Sequence, residues 1–353
     1  VTQTSLSTIQ LEFEPLEMTT AHPFGISSGT SVATHNVLVR LRYKDFIGYG
    51  EAAPARYHNE RSATVHAVLK LWQSENLLGD DPFAIEETTR RLDRSIAGHA
   101  AAKAAVEMAM HDLAGKVANC PTYKMLGLSQ LPQPITDFTI GIDSIEMVEK
   151  KTAEAVEAGY KVLKVKQGTS YDKEIIKGVR KVAPHMPLRV DANGAWTPKQ
   201  AIYMAEYLAE HNVQFIEQPL AKTAHVDDFR FVRERSPLPI FADESIGRSN
   251  DVARLAGAID GVVVKLAKTG GLLEALKVIY TARAHSMQVM FGCMIESSLG
   301  ISAAAQLQSL CDHLDLDGAL LLANDPFDGV QYDDGYLRMP DRPGLGAIPR
   351  QKS

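Results

Sequence analysis

Between residues 135 and 318, eight short apolar runs recur at intervals of about 25 residues, the size of one strand-plus-helix unit. They are ITDFTIG (135–141), KVLKVKQ (161–167), LRVDAN (188–193), QFIEQP (214–219), IFADES (240–245), GVVVKL (261–266), QVMFGC (288–293) and LDLDG (314–318). Amphipathic stretches such as IEMVEKKTAEAVEAG and PKQAIYMAEYLAEH lie between them. Eight regular units predict an α/β fold with a closed parallel barrel rather than an open doubly wound sheet. In such a barrel the interior is apolar, and charge near a strand's C-terminal end reads as chemistry. The last run leads into a Pro/Gly/Asp-rich tail, DPFDGVQYDDGYLRMPDRPGLG, which is expected to pack back on the first part of the chain.

That first part has another rhythm. β-forming residues at 8–17 and 34–47 flank Gly25-Ile26-Ser27-Ser28-Gly29, which reads as a mobile loop. Helical patterns follow near 61–77, 82–96 and 99–118, and the last is so rich in Ala and Met that it is expected to be buried against small neighbours. Strands followed by helices make an α+β module. The expected division is an α+β domain over 1–125, a barrel over 126–322 and a returning segment over 323–353. With 353 residues, 45% of them hydrophobic, the chain is long enough for two domains. Its net charge of −6 argues against a nucleic-acid partner, and no apolar run is long enough for a membrane helix. The opening VTQTSLSTIQLEFEPLEM has no signal-peptide pattern, and the widely spaced Cys120, Cys293 and Cys311 fit a reducing compartment. A cytoplasmic homo-oligomer is expected.

The charged residues on the barrel runs recur at matching points. The second run carries Lys164 and Lys166, the third Asp191, the fourth Glu217, the fifth Asp243 and Glu244, the sixth Lys265, and the eighth Asp315 and Asp317. Residues i and i+2 of a strand share a face, which pairs Lys164 with Lys166, Asp191 with Asn193, and Asp315 with Asp317. Strands two and six of an eight-strand barrel are opposed, so Lys166 and Lys265 face each other across the mouth. Asp191, Glu217 and Asp243 converge between them. Three hard oxygen ligands suit Mg²⁺, or Mn²⁺ in its place, and suit zinc poorly. A divalent cation stabilises the charge that develops when a carbon acid beside a carboxylate loses its proton. A lysine on each side can remove and return that proton, inverting the centre. Lys164 is placed to tune Lys166, and Lys268 to depress the pKa of Lys265.

At these residues the sequence resembles the muconate-lactonizing subgroup of the enolase superfamily. The resemblance runs through GEAAP at 50–54, Lys164-Val165-Lys166, Asp191-Ala192-Asn193, Glu217-Gln218-Pro219, Asp243-Glu244-Ser245, Lys265 with Lys268-Thr269-Gly270-Gly271, and PGLG at 343–346. It implies a capping domain over a modified (β/α)7β barrel, with Asp191, Glu217 and Asp243 as metal ligands and Lys166 and Lys265 as the acid/base pair. Asp315-Leu316-Asp317 is similar to the pair with which dipeptide epimerases hold a substrate α-ammonium. In the Ala-Glu epimerases of that group an arginine in the first-domain loop pairs with the substrate glutamate; the matching position here is Gly29, and residues 19–35 contain no arginine. A neutral, small or hydrophobic C-terminal residue is therefore expected, with loops 19–32 and 54–60 as the lid. Phe24, Thr139, Cys293, Met294, Ile295 and Glu296 complete the candidate substrate contacts, and Asn193 and Glu244 the supporting shell. A related lyase or cycloisomerase (o-succinylbenzoate synthase, N-acylamino acid racemase, muconate cycloisomerase) is the alternative.

Blander readings compete at other motifs. Gly25-Ile26-Ser27-Ser28-Gly29 matches a hydrolase elbow in letters only, without the flanking strand and helix. Gly270-Gly271 reads as close backbone packing rather than a phosphate cradle, His111 as a core or interdomain residue, and Cys293 as an unreactive thiol.

Overall fold

The computed structural model describes residues 8–26 and 29–351. Three antiparallel strands open it: β1 (Gln10–Ile26), β2 (Gly29–Tyr43) and β3 (Phe46–Ala52). Alternate residues of β2, Val37, Val39 and Leu41, are fully buried on one face. They pack with Leu11 under the helices α1 (Ser62–Glu75), α2 (Ile85–Ser95) and α3 (Ala100–Val117), which a short α4 (Thr122–Met125) follows. On the other face Leu16, Met18 and Leu38 join the core of the barrel. Every residue of α3 from Ala101 to Gly115 is buried, as its Ala-rich sequence predicts. The reason is a backbone-to-backbone contact: a Cβ on Gly50 would sit 1.9 Å from the Ala105 carbonyl oxygen, and one on Gly48 2.1 Å from that of Ala109.

Around the segment read as a mobile loop, the described residues are paired strands. Phe24, Gly25 and Ile26 pair with Ser31, Thr30 and Gly29, while Ser27 and Ser28 lie outside the described residues. Gly25 serves close approach rather than flexibility. Ile142 N donates to its carbonyl at 2.9 Å, and a Cβ there would fall 2.3 Å from Ile142 O.

Eight parallel strands follow: β4 (Phe138–Ile140), β5 (Leu163–Lys166), β6 (Leu188–Asp191), β7 (Val213–Glu217), β8 (Ile240–Ala242), β9 (Gly261–Val264), β10 (Gln288–Gly292) and β11 (His313–Asp315). They pair in sequence order, and a parallel bridge from Thr136 to Leu314 brings the last strand beside the first. The connecting helices are α5 (Ile145–Glu157), α6 (Asp172–Val182), α7 (Pro198–Glu210), α8 (Val226–Arg233), α9 (Ser249–Leu255), the pair α10 (Leu266–Thr269) and α11 (Leu272–Ala284), and α12 (Ser298–Ala305). Inside, Phe215, Phe241, Val263 and Met290 fill the floor as a separate apolar layer. Each stands two residues before a rim position on the same strand face: Glu217, Asp243, Lys265 and Gly292.

Among the described residues no barrel helix follows β11. The tail forms short strands, β12 (Phe327–Asp328), β13 (Gln331–Asp333), β14 (Tyr336–Arg338) and β15 (Ile348–Pro349). It then returns to α3: Leu345 N donates to Asp112 Oδ1 at 2.9 Å, and Thr122 N to Gly344 O at 2.8 Å. Gly344 has a left-handed φ of 70°, and a Cβ there would collide with Asp112.

Candidate active site

Asp191 ends β6, Glu217 ends β7 and Asp243 directly follows β8, so three neighbouring strands each bring one carboxylate to the rim. One oxygen from each lies within 4.8 Å of the other two, and all three residues are buried. Among the described residues neither Glu217 oxygen has an aligned hydrogen-bond donor, although Lys164 Nζ stands 2.6 Å from Oε2. Burial and the charge of Asp191 push the Glu217 acid well above the ordinary carboxyl value. A buried carboxylate without donors is costly, and a divalent cation would relieve both the missing partner and the repulsion. The all-oxygen set fits Mg²⁺ or Mn²⁺.

Four lysines fold onto these acids. Lys164 lies 2.7 Å from Asp315 Oδ2 and 3.3 Å from Asp191 Oδ2, besides its contact with Glu217. Lys166 lies 2.6 Å from Asp191 Oδ2, and Lys265 2.7 Å from Asp243 Oδ2. Since β5 and β9 stand four strands apart in a set of eight, these two ammonium groups reach the acid cluster from opposed sides. Gly292 makes room for one of them: a Cβ there would touch Lys265 Cε at 3.0 Å. Lys268, from α10, pairs with Asp243 and donates to Val263 O at 3.0 Å. The expected depression of Lys265 by Lys268 is not what the structure gives. Burial is the largest influence and lowers both, but at Lys265 the charges of Asp243, Tyr57 and Glu217 together outweigh it and raise it well above its ordinary value, while Lys268 is lowered. At Lys164 the charges of Asp315, Glu217 and Asp191 likewise outweigh burial. A cation sharing Asp243 would compete with Lys265 for that carboxylate.

Asn193 Nδ2 donates to Asp191 Oδ2 at 3.2 Å and to Glu244 Oε1 at 3.1 Å. Glu244 thus sits behind the acids, and burial with the charge of Asp243 pushes it up to about 7. Sequence reasoning passed over Gln218, whose Oε1 accepts from Asp243 N at 2.8 Å and Ser245 N at 3.2 Å, locking the ends of β7 and β8 together.

Beside the lysines opens a cavity of about 860 Å³. Phe24, Gly29, Thr139, Cys293, Met294, Ile295, Asp315 and Asp317, the expected substrate contacts, line it together with Lys166, Lys265 and Asn193, the last expected only as a supporting residue. Glu296 does not. Its carboxylate folds back to accept from Met294 N at 2.9 Å, inside the buried turn that leads into α12. Thr139 N donates to Asp317 Oδ2 at 2.7 Å, and Thr139 Oγ1 makes a long 3.4 Å bond to Asp315 Oδ1. Burial and Asp315 push Asp317 up to about 6, whereas at Asp315 burial is outweighed by Lys164, a hydrogen bond from Asp137 and the charges of Lys265 and Lys166 together, which hold it low. The thiol of Cys293 is pushed up by burial and by these acids, which makes it a poor nucleophile.

Residues after the GEAAP run form the cavity's other wall. Arg56, Tyr57 and Arg61 line it, and Tyr57 Oη donates to Met294 Sδ at 3.1 Å. The sequence reading placed a lid at 54–60 but weighed only the absence of arginine from 19–35, and so missed the two arginines here. Elsewhere Gly271 is closely packed, though against the Glu107 side chain rather than backbone, and His111 is a core residue. Glu107 fills the space over Gly271 and accepts from Leu273 N at 2.8 Å, and His111 is buried against the same carboxylate at 3.2 Å.

Residues 11–127 match the mandelate racemase/muconate lactonizing enzyme N-terminal domain, and residues 147–353 match the enolase C-terminal domain-like family. The chain belongs to the enolase superfamily. It is 42% identical over 343 residues to an L-Ala-D/L-Glu epimerase of Bacteroides thetaiotaomicron, covering 96% of this chain and 88% of the relative. It is 39% identical to an L-Ala-D/L-amino acid epimerase of Pedosphaera parvula, covering 98% of this chain and all of the other. Among solved structures, a dipeptide epimerase of Cytophaga hutchinsonii, complexed with Mg and the dipeptide D-Ala-L-Val, superposes with a TM-score of 0.93 at 31% identity, covering 98% and 96% of the two chains.

Proposed function

We propose that this superfamily member is a Mg²⁺-dependent dipeptide epimerase that inverts the α-carbon of a dipeptide's C-terminal residue. The observation that carries the reading is the placement of Lys166 and Lys265 on opposed strands, each against a different acid of the trio, with both lining one cavity. Asp191, Glu217 and Asp243 would hold the metal, which supplies positive charge beside the substrate carboxylate as negative charge builds there. One lysine takes the α-proton from one face while the other delivers a proton to the opposite face. Asp315 and Asp317 accept the α-ammonium, which distinguishes a dipeptide from the substrates of the lyase and cycloisomerase readings. Phe24, Ile26 and Gly29 of the hairpin and Arg56 and Tyr57 of the Arg56–His58 turn line the cavity, where they would shield a bound substrate.

The arginine-free hairpin supports a neutral C-terminal residue. Arg56 and Arg61 on the facing wall support a second reading, in which an acidic side chain is accepted from that side. Incubating L-alanyl dipeptides with the Mg²⁺-loaded enzyme in ²H₂O and following α-deuteration by NMR tests both. Exchange confined to the C-terminal α-carbon supports epimerisation; turnover of a dicarboxylate with no dipeptide exchange would refute it. Faster exchange of L-Ala-L-Val than of L-Ala-L-Glu favours the neutral preference, and the reverse favours the acidic one.

A further inference from the structure

Asp137, just before β4, is fully buried and has no part in the mechanism above. It lies two residues before Thr139, on the same strand face and one layer deeper in the barrel. Its Oδ2 accepts from Arg189 Nη1 at 2.8 Å, while Oδ1 meets no donor group. Arg189 is held fast: Nη1 also donates to Leu314 O at 2.8 Å, Nε to Gln214 Oε1 at 3.3 Å, and the guanidinium lies 5.5 Å from the centre of the Phe215 ring. Asp137 N donates to Leu314 O at 3.1 Å, which places Asp137 next to Asp315, and the two carboxyls share a hydrogen bond. Two carboxyls bond to each other only when one keeps its proton. Burial and the charge of Asp315 push Asp137 well up, while Lys164 holds Asp315 low, so the proton stays on Asp137.

Resting on the dipeptide reading, we propose that Asp137 is a positioning residue: anchored on Arg189, it donates a hydrogen bond to Asp315 and aims that carboxylate at the substrate ammonium. Lys164 grips Asp315 Oδ2, and Thr139 reaches Oδ1 only at 3.4 Å. Asp137 is therefore the member of this set that fixes the carboxylate from beneath while leaving its upper side to a ligand.

The test compares Mg²⁺-loaded variants on the L-alanyl substrate that exchanges fastest and on its propionyl counterpart, in which hydrogen replaces the ammonium. The quantity read is the ratio of kcat/KM for the two. Asp137→Asn keeps a donor toward Asp315 and an acceptor for Arg189, so it should retain the wild-type ratio. The double variant Asp137→Ala/Arg189→Met removes the donor without stranding a buried charge. It should lose roughly tenfold or more in that ratio, through KM for the dipeptide, with propionyl exchange unchanged. Equal losses on both substrates, an unchanged ratio in the double variant, or a lowered ratio in folded Asp137→Asn would each overturn the proposal. A wild-type enzyme that does not prefer the dipeptide would remove the ammonium site itself and this proposal with it.

Discussion

At its floor the barrel is packed with Phe215, Phe241, Val263 and Met290, the first two rings stacked with centroids 4.2 Å apart. Two residues further along the same strands, the rim holds Glu217, Asp243 and Lys265 within a web of buried ion pairs. The floor gains its stability from area removed from water, and its members couple only through packing. The rim gains little, because desolvation offsets most of the attraction between buried charges, and removing one charge strands another. One layer of a strand thus serves the fold and the next serves chemistry, separated by a single step of the side-chain alternation.

The sharpest way to break this contrast is at the lysines. Lys166→Ala and Lys265→Ala should each lower epimerisation by about 10²–10⁴-fold. Mg²⁺ affinity and melting temperature should stay in the folded range, and each variant should still exchange the α-proton of one epimer. Equal loss of exchange on both epimers in both variants would argue against one lysine per face. At the floor, Phe241→Ala should cost about 3–5 kcal/mol of stability in chemical denaturation, with kcat per folded molecule preserved. A specific loss of kcat without destabilisation would show that the layers are not separable.

Two further changes use pH. Glu296 is buried and pushed up to about 8, chiefly by burial and by Glu51. The unfolded chain releases this proton near its ordinary value of 4.5, before the folded protein does. Stability should therefore fall as pH rises through the window from about 4.5 to 8. Glu296→Gln should remove that slope and add on the order of 3 kcal/mol at pH 7. A variant no more stable than wild type at pH 7 would refute it. His313, at the floor beside Arg189, is held down to about 4 by burial and by that guanidinium. The unfolded chain takes up its proton first as pH falls from about 6.5, so this site should lose stability between roughly 6.5 and 4. His313→Gln should flatten the acid limb of a melting-temperature profile, the smallest of the four effects.

Much of this was legible because barrel chemistry is periodic. Charges at matching points of successive apolar runs identified Asp191, Glu217, Asp243, Lys166 and Lys265 as convergent, and the structure brings them to one rim. What escaped was whatever depends on packing between distant segments. Gly25 read as part of a mobile loop because sequence does not reveal that Ile142 presses against it. Glu296 was grouped with the substrate contacts at 293–295, but its own turn captures it. Arg56 and Arg61 carry no signal other than following GEAAP, and Asp137 none other than being an acid at the start of a strand.

The backbone bond between Gly25 and Ile142 bears on any attempt to re-engineer selectivity. The hairpin that roofs the pocket is moored to the first turn of the barrel, so a graft taken from a relative with different preferences imports only half of a matched joint. Exchanging the hairpin together with the stretch around Ile142 is the unit of transplantation that this mooring defines.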